Sequence, residues 1–209
     1  MSVQESNYEK TKHLMQAEFL RYDQETMIRR FKLRHDADYL YLTCLNRPYR
    51  IDRHTGLVEW SQDDWASAVE AGFNEAMTFF DLLCHSKPGA KLSGEFINMS
   101  QLTRLQSGSH APGSMFGGKQ FDHREADLAR ACEALGGSKA TKGDVAYLLP
   151  LFDCMPIVLR FWSSDEEFPP SLQLSWDRNT LDFLHYETVC YAAGHLIHRL
   201  HQEMDAKKR

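Results

Sequence analysis

Two strand-like segments separated by a rigid acidic turn constrain the fold of this chain more than any other feature. Residues 155–162 and 171–177 are rich in aromatic and aliphatic side chains, and Pro169 and Pro170 immediately precede the second segment. Because proline fixes φ and has no N–H donor, the second strand cannot begin to pair before residue 171. The pattern predicts an antiparallel hairpin. Three carboxylates lie in its turn: Asp165, Glu166 and Glu167.

Helical and strand periodicities predict the other elements of the chain. Apolar residues that recur every three or four positions predict helices at 8–32 (interrupted and capped again by Asp23), 63–84, 122–135 and 186–204. Strands are predicted at 39–45, 48–52, 57–60 and 96–99. Asn46 and Arg47 are expected to join the first two strands, and 144–149 is expected to be a short apolar linker.

These elements predict a single α+β domain over residues 1–209. We expect a small, mainly antiparallel sheet built from the hairpins near 39–60 and 155–177, with helices covering one face. The chain is long enough to bury a sizeable core, and its 43% hydrophobic and 25% charged residues are ordinary for a globular protein.

Charge and hydropathy exclude some classes of partner. The net charge of -5 argues against a nucleic-acid partner, because such binding needs a basic surface. No apolar run approaches the ~18 residues of a membrane span, and the first residues lack the apolar stretch of a secretory signal. We therefore expect a cytoplasmic protein without a membrane partner.

The cysteines are widely spaced, and no two are separated by only two residues. This spacing excludes a zinc ribbon and a clustered iron–sulfur site within the chain. An odd number of cysteines in a cytoplasmic chain predicts free, mostly buried thiols. Cys154 has no motif that would supply a base, so it is expected to be buried rather than nucleophilic. The five cysteines are Cys44, Cys84, Cys132, Cys154 and Cys190.

The final hairpin resembles a bacterial and archaeal family catalogued as domain of unknown function 3786. The resemblance rests on residues 156–162, the run from Asp165 to Pro169, Asp177 and the closing helix with Glu187. Supporting runs lie at 143–145 and 94–96, and the similarity extends over about residues 8–200. Ser175 stands where the family pattern is apolar, which suggests an edge strand or a locally polar face.

The resemblance implies no particular activity. Some family members look as though they carry an added iron–sulfur domain of a kind found with corrinoid proteins. This implies a link to anaerobic corrinoid or one-carbon metabolism, although the chain has no clustered cysteines of its own.

The acidic turn supports two interpretations. Three adjacent carboxylates repel one another unless a cation, an arginine or a helix N-terminus lies near, and hard cations such as Mg²⁺ prefer such oxygen ligands. Alternatively, the turn is a solvated surface feature with Phe168 packed inward. Asp177, at the end of the second strand, either points into a site or caps the following turn.

Glycines and histidines supply the other candidates. Gly117 and Gly118, at the end of a loop from 107, precede a predicted helix and could bind an anion through backbone amides, or simply belong to a flexible loop. His195, His198 and His201 are spaced to share a metal, but we expect all three to face solvent, away from the apolar stripe of the last helix. We therefore predict no metal site.

The sequence leaves three functions open. The first is a ligand-binding or accessory protein that uses the loop and the acidic turn. The second is an enzyme in which Asp165, Glu166 and Asp177 hold a divalent ion or act as acid and base. The third is an interaction module whose hairpin tip meets a partner protein.

Overall fold

Two five-stranded antiparallel sheets and six α-helices make up the fold in the computed structural model, which describes residues 6–102 and 117–206. The helices are α1 (Asn7–Phe19), α2 (Gln24–Phe31), α3 (Phe73–His85), α4 (Met99–Leu102), α5 (Glu125–Ala134) and α6 (Tyr186–Asp205). Two short 3₁₀ turns lie at Gly118–Phe121 and Thr180–Asp182. The predicted α+β class is confirmed.

The strands divide between the two sheets in chain order. The first sheet contains β1 (Arg34–His35), β2 (Tyr39–Cys44), β3 (Arg47–Asp52), β4 (Val58–Trp60) and β5 (Val69–Glu70), in that spatial order. The second contains β6 (Phe96–Asn98), β7 (Ser138–Lys139), β8 (Val145–Phe152), β9 (Met155–Trp162) and β10 (Ser171–Asp177). Its spatial order is β6-β10-β9-β8-β7. The two predicted hairpins therefore belong to separate sheets rather than to one small sheet.

The predicted hairpin at 155–177 is confirmed. Ser171 is the first residue of β10 and pairs with Trp162, so pairing starts directly after the two prolines. Ser175 lies in the interior of the sheet, between β9 and β6, where it is buried. Its hydroxyl accepts a hydrogen bond from Arg160 at 3.2 Å, so the interpretation as a locally polar face is correct.

A two-residue turn with a buried leucine and an exposed asparagine joins the sheets. Leu45 and Asn46 both have positive φ, 48° and 57°, as in the type I′ turns that connect antiparallel strands. The turn is thus one residue earlier than predicted. Leu45 is fully buried, and its N–H donates to the carbonyl oxygens of Pro150 and Leu151 in β8. The Asn46 side chain donates to the carbonyl oxygen of Ala134 at the end of α5.

Helices α3 and α6 form the main helical pair, and α1 and α5 pack on them from either side. The apolar faces of both helices are buried in a core shared with the two sheets. Large fully buried side chains in this core include Phe79, Phe80, Phe161 and Trp176.

Helix α3 begins later than the sequence predicts. The segment from 63 is a hydrogen-bonded turn, in which Asp63 accepts from the backbone and side chain of Ser67. Asp64 and Trp65 have positive φ, which a helix does not allow. The helix starts at Phe73, where the Glu75 side chain accepts from the N–H of Gly72. Asp63 accepts hydrogen bonds from its own turn, as a helix N-cap residue does. The sequence pattern therefore predicts a helix start at 63 that the structure does not have.

The segment 144–149 is a strand rather than a linker. It forms most of β8, which lies between β7 and β9 and is buried along most of its length. An apolar run of this length is ambiguous from sequence, because a doubly covered strand shows no alternation.

Within the described residues, no helix is both long and apolar enough to cross a membrane.

Asp177 is the last residue of β10 and is fully buried. It accepts hydrogen bonds from the N–H groups of Ser93, Gly94 and Asn179 and from the Ser93 hydroxyl, at 2.8–3.1 Å. Burial alone would raise the pKa of this carboxyl, but the backbone donors outweigh it and hold the pKa below its ordinary value. Such a carboxylate ties the segment at 93–94 to the turn after β10.

We expect Asp177→Ala to lower the free energy of unfolding by about 3 kcal/mol, because it leaves several donors without their charged acceptor. Urea denaturation followed by circular dichroism measures this loss. Asp165→Ala, in the exposed turn of the same hairpin, is the control and should cost less than about 1 kcal/mol. Equal losses in the two variants would contradict a structural role for Asp177.

Candidate functional site

A cavity of about 720 Å³ lies where α3 and α6 meet the first sheet. Helix α3 contributes Phe73 and Glu75, helix α6 contributes Tyr191 and His195, and the sheet contributes Arg47 and Trp60. Its volume is within the range of pockets that hold small molecules.

Glu75 and His195 line the floor of the cavity and form a hydrogen-bonded cluster with the buried Tyr49, which does not itself line the cavity. The buried Tyr49 hydroxyl donates to Oε1 of Glu75 at 2.7 Å and lies 3.4 Å from Nε2 of His195. Nδ1 of His195 is 3.5 Å from the same carboxylate oxygen. The cluster brings three protonatable groups from a strand and two helices into contact.

Arg47 is the first residue of β3, directly after the turn at Leu45 and Asn46, and its side chain lines the cavity. Its side chain is 6% exposed, and its guanidinium lies 4.0 Å from the centre of the Trp60 ring. Nη2 donates to Gln202 at 3.0 Å, and Nη1 lies 3.8 Å from Glu75. Among the described residues, its buried Nε has no hydrogen-bond partner. One donor of this buried cation is thus left without an acceptor.

Charged groups of both signs lie at and near this floor: Arg47 is 3.8 Å from Glu75, and Arg199 is 3.2 Å from Glu203. The pKa of His195 falls to about 3, chiefly because the ring is buried and also because Arg199 and Arg47 are close. The imidazole is therefore neutral at physiological pH. Burial is likewise the main reason that the pKa of Arg47 is lowered, with Arg199 adding to the effect.

Aromatic rings form one side of the cavity mouth. Tyr8 and Tyr191 each contact Phe73 edge-on, with ring centres 5.0 and 5.2 Å apart. Together with Trp60 they give the site an apolar wall above a polar floor. Such a combination suits a ligand with a flat or apolar body and one polar end.

A second cavity, of about 330 Å³, lies on the other side of β2 and β3, beside Arg34, Tyr41 and Cys154. Burial raises the pKa of the Cys154 thiol to about 11, so the thiol is protonated and weakly nucleophilic. The five cysteines are free and buried or half-buried, as expected.

The structure does not bring all the carboxylates predicted from the sequence together. Asp165 accepts hydrogen bonds from the N–H groups of Glu167 and Phe168, which closes the turn, and Glu166 and Glu167 are exposed. Asp177 lies at the opposite end of β10, roughly 20 Å from the turn at the rise of a strand. Phe168 is 66% exposed, so the prediction that it packs inward is wrong.

The glycine pair lies beside the acidic turn. A side chain on Gly118 would come within 2.9 Å of the backbone of Pro170 and Ser171, so glycine is required there for close packing. The helix expected from 122 begins at Glu125, and only a four-residue 3₁₀ turn follows Gly117. Residues 107–116 of the loop predicted at 107–118 lie outside the described residues.

The three histidines of α6 occupy three different environments. His195 is buried in the cavity floor, so the prediction that it faces solvent is wrong. His198 is exposed at the cavity rim, and His201 stacks on Phe121 with ring centres 5.2 Å apart. The sequence pattern predicts a single buried apolar stripe on α6. A helix that is packed on two sides buries more than one such stripe.

Sequence inspection missed Arg47 and Glu75 altogether. The sequence pattern predicts that Arg47 belongs to a two-residue hairpin turn and that Glu75 lies in the middle of a longer helix. One available signal was the row Tyr191, His195, His198 and Gln202, whose spacing of three or four places polar groups along one face of α6.

The depressed pKa of His195 makes stability depend on pH. The unfolded chain takes up a proton near pH 6.5, whereas folded His195 does so only near pH 3. The contribution of neutral His195 to the free energy of unfolding is therefore complete above pH 6.5. It is lost as the pH falls toward 3, by up to about 1.4 kcal/mol per pH unit. Urea denaturation between pH 7 and 4 should show a shallower decline for His195→Gln than for the wild type.

The exposed His35 provides the control for this experiment. His35→Gln should keep the pH dependence of the wild type. Parallel curves for His195→Gln and the wild type would contradict the assignment of a buried neutral imidazole.

No curated protein and no solved structure matches the chain. A family model does match: the one described as "Domain of unknown function (DUF3786)" covers residues 23–199. The matched range includes Arg47, Tyr49, Glu75 and His195, and so contains the whole cavity floor. It also agrees with the resemblance seen in the final hairpin. The chain belongs to this family of unknown function.

Proposed function

We propose that the protein binds a small molecule that carries a carboxylate or phosphate group, in the cavity lined by Arg47. The observation that carries the proposal is the buried Nε of Arg47, which has no hydrogen-bond partner among the described residues. A buried guanidinium donor without an acceptor is costly, and carboxylates and phosphates match its geometry.

The surroundings of Arg47 favour an anion with an apolar body. Arg199, a second buried cation, lies 3.2 Å from Glu203 and does not line the cavity, but its Nε also lacks a partner in the described part of the chain. The ring of Trp60 under the guanidinium and the ring of Phe73 at the mouth offer surface for an aromatic or aliphatic group. We therefore place the anionic end at Arg47 and the apolar end between the aromatic rings.

Binding is favoured over catalysis at this site. A histidine whose pKa is about 3 stays neutral at pH 7 and cannot serve as a general acid there. Its ring can still accept or donate one hydrogen bond, as can the Tyr49 hydroxyl. The cluster is thus suited to recognising polar atoms of a ligand.

The other predicted functions keep their status as predictions. Exposed Glu166 and Glu167 leave the acidic turn free to meet a cation or a partner protein, whereas Asp177 uses its oxygens within the fold. The link to anaerobic corrinoid or one-carbon metabolism rests on the family resemblance alone.

The first experiment compares the native and denatured masses of the freshly purified protein. An excess mass that disappears on denaturation would identify a bound ligand, and fragmentation would show whether it is an acid or a phosphate. A released molecule without any anionic group would contradict the proposal.

The second experiment measures binding of matched probes by isothermal titration calorimetry. We expect benzoate or phenyl phosphate to bind more tightly than neutral benzyl alcohol. Arg47→Met should weaken binding of the anions by about 10- to 100-fold, the value of one charge-assisted hydrogen bond. Binding of benzyl alcohol should change little.

Arg50 offers a matched control on the same strand. It lies three residues after Arg47, on the opposite face of β3, and pairs with Glu59 at 2.9 Å. Arg50→Met should leave the affinity for the anions unchanged. Equal losses in the two variants, or equal binding of neutral and anionic probes, would refute the proposed role of Arg47.

A further inference from the structure

Two histidines and one aspartate converge at the other end of the α3–α6 pair. Nδ1 of His85, the last residue of α3, lies 2.8 Å from Oδ1 of Asp81. Nδ1 of His185, the residue before α6, lies 2.6 Å from the same oxygen. The three potential ligand atoms all lie within 4.8 Å of one another.

From this convergence we propose that Asp81, His85 and His185 form a binding site for a divalent transition-metal ion, with Zn²⁺ as the best-matched ion. Two imidazole nitrogens and one carboxylate oxygen form a ligand set that zinc and iron(II) use in proteins. Hard ions such as Mg²⁺ prefer sites made only of oxygen ligands.

The spacing of the ligand atoms is close to that of a loaded site. Bonds of 2.0–2.2 Å in tetrahedral geometry separate neighbouring ligand atoms by roughly 3.4 Å. From their distances of 2.8 and 2.6 Å, the two Nδ1 atoms therefore need to move away from Oδ1 by about 0.6 and 0.8 Å. His85 and His185 are 32% and 69% exposed at their side chains, so their rings have room to make this adjustment.

The aspartate is already oriented for such a role. Its side chain is only 7% exposed, and its second oxygen, Oδ2, accepts the N–H of His185 at 2.7 Å. Thr188 also donates a side-chain hydrogen bond to this carboxylate. Metal ligands are characteristically held by such outer hydrogen bonds. Oδ1 is the oxygen that both imidazoles face.

The elements of the fold supply the site from two directions. Asp81 and His85 are four residues apart and therefore share one face of α3. The C-terminal end of α3 carries partial negative charge, which favours a cation at His85. The site would use protein ligands from both helices and leave a position for water or another ligand.

The proposed ion does not depend on the ligand proposed for the Arg47 cavity. It would nevertheless clamp the same two helices, because α3 also carries Glu75 and α6 also carries His195. We expect metal binding to raise the thermal unfolding midpoint, since the ion binds the folded arrangement of three distant residues.

The test titrates the full chain, after treatment with a chelator, with Zn²⁺, Co²⁺ and Mg²⁺. We expect one Zn²⁺ per chain, a Co²⁺ absorption spectrum typical of nitrogen ligation, and no competition from Mg²⁺. The cobalt spectrum of the unsubstituted protein tests the ligand set without any risk of misfolding.

Substitutions then assign the ligands. His85→Gln and His185→Gln should each weaken Zn²⁺ binding by about 100-fold or more, because loss of an outer hydrogen bond alone costs about 10- to 100-fold. Each should also abolish the metal-induced rise in midpoint. His54→Gln, at a 68% exposed histidine beside Asp38, is the control and should bind Zn²⁺ as the wild type does.

Three results would overturn the proposal. They are the absence of stoichiometric Zn²⁺ binding by the wild type, unchanged affinity in both histidine variants, and an equal loss in His54→Gln. The last two would show that zinc binds elsewhere on the surface.

Discussion

The turn at Leu45 and Asn46 connects the two sheets, and the rest of the structure depends on it. The Leu45 N–H donates to carbonyl oxygens of β8, and the Asn46 side chain donates to a carbonyl oxygen at the end of α5. Nη1 of Arg199 lies 3.5 Å from the Leu45 carbonyl oxygen. A left-handed backbone at a fully buried leucine is costly and persists only where surrounding contacts hold it. Because Arg47 follows directly, the same turn fixes the guanidinium in the cavity.

The cavity floor combines groups that a purely structural core would avoid. Burying two guanidinium groups, a carboxylate and an imidazole costs free energy of desolvation, and apolar residues of similar size often serve stability as well or better. Glu75 offsets part of this cost by accepting from Tyr49 and by lying near Arg47. The Nε atoms of Arg47 and Arg199 remain without hydrogen-bond partners among the described residues, which adds to this cost.

Local patterns allowed the scaffold to be predicted, whereas the site could not be. The hairpin at β9–β10 and helix α6 are evident from proline positions and periodicity over short windows. Arg47, Glu75 and His195 come from distant parts of the chain, and a single sequence contains nothing that pairs them. The start of α3 could not be predicted because Asp63 accepts hydrogen bonds from its own turn, as a helix cap does. The burial of His195 could not be predicted because α6 is covered on more than one side.

Both sheets end in very short strands. β1, β5 and β7 have two residues each and β6 has three, while the long, apolar β8, β9 and β10 lie inside the second sheet. Chains aggregate when a strand of one chain pairs with the unpaired edge strand of another. An edge strand of two or three residues offers too few backbone hydrogen bonds for stable pairing. The arrangement therefore protects the most aggregation-prone segments of the chain from templating fibrils at high concentration.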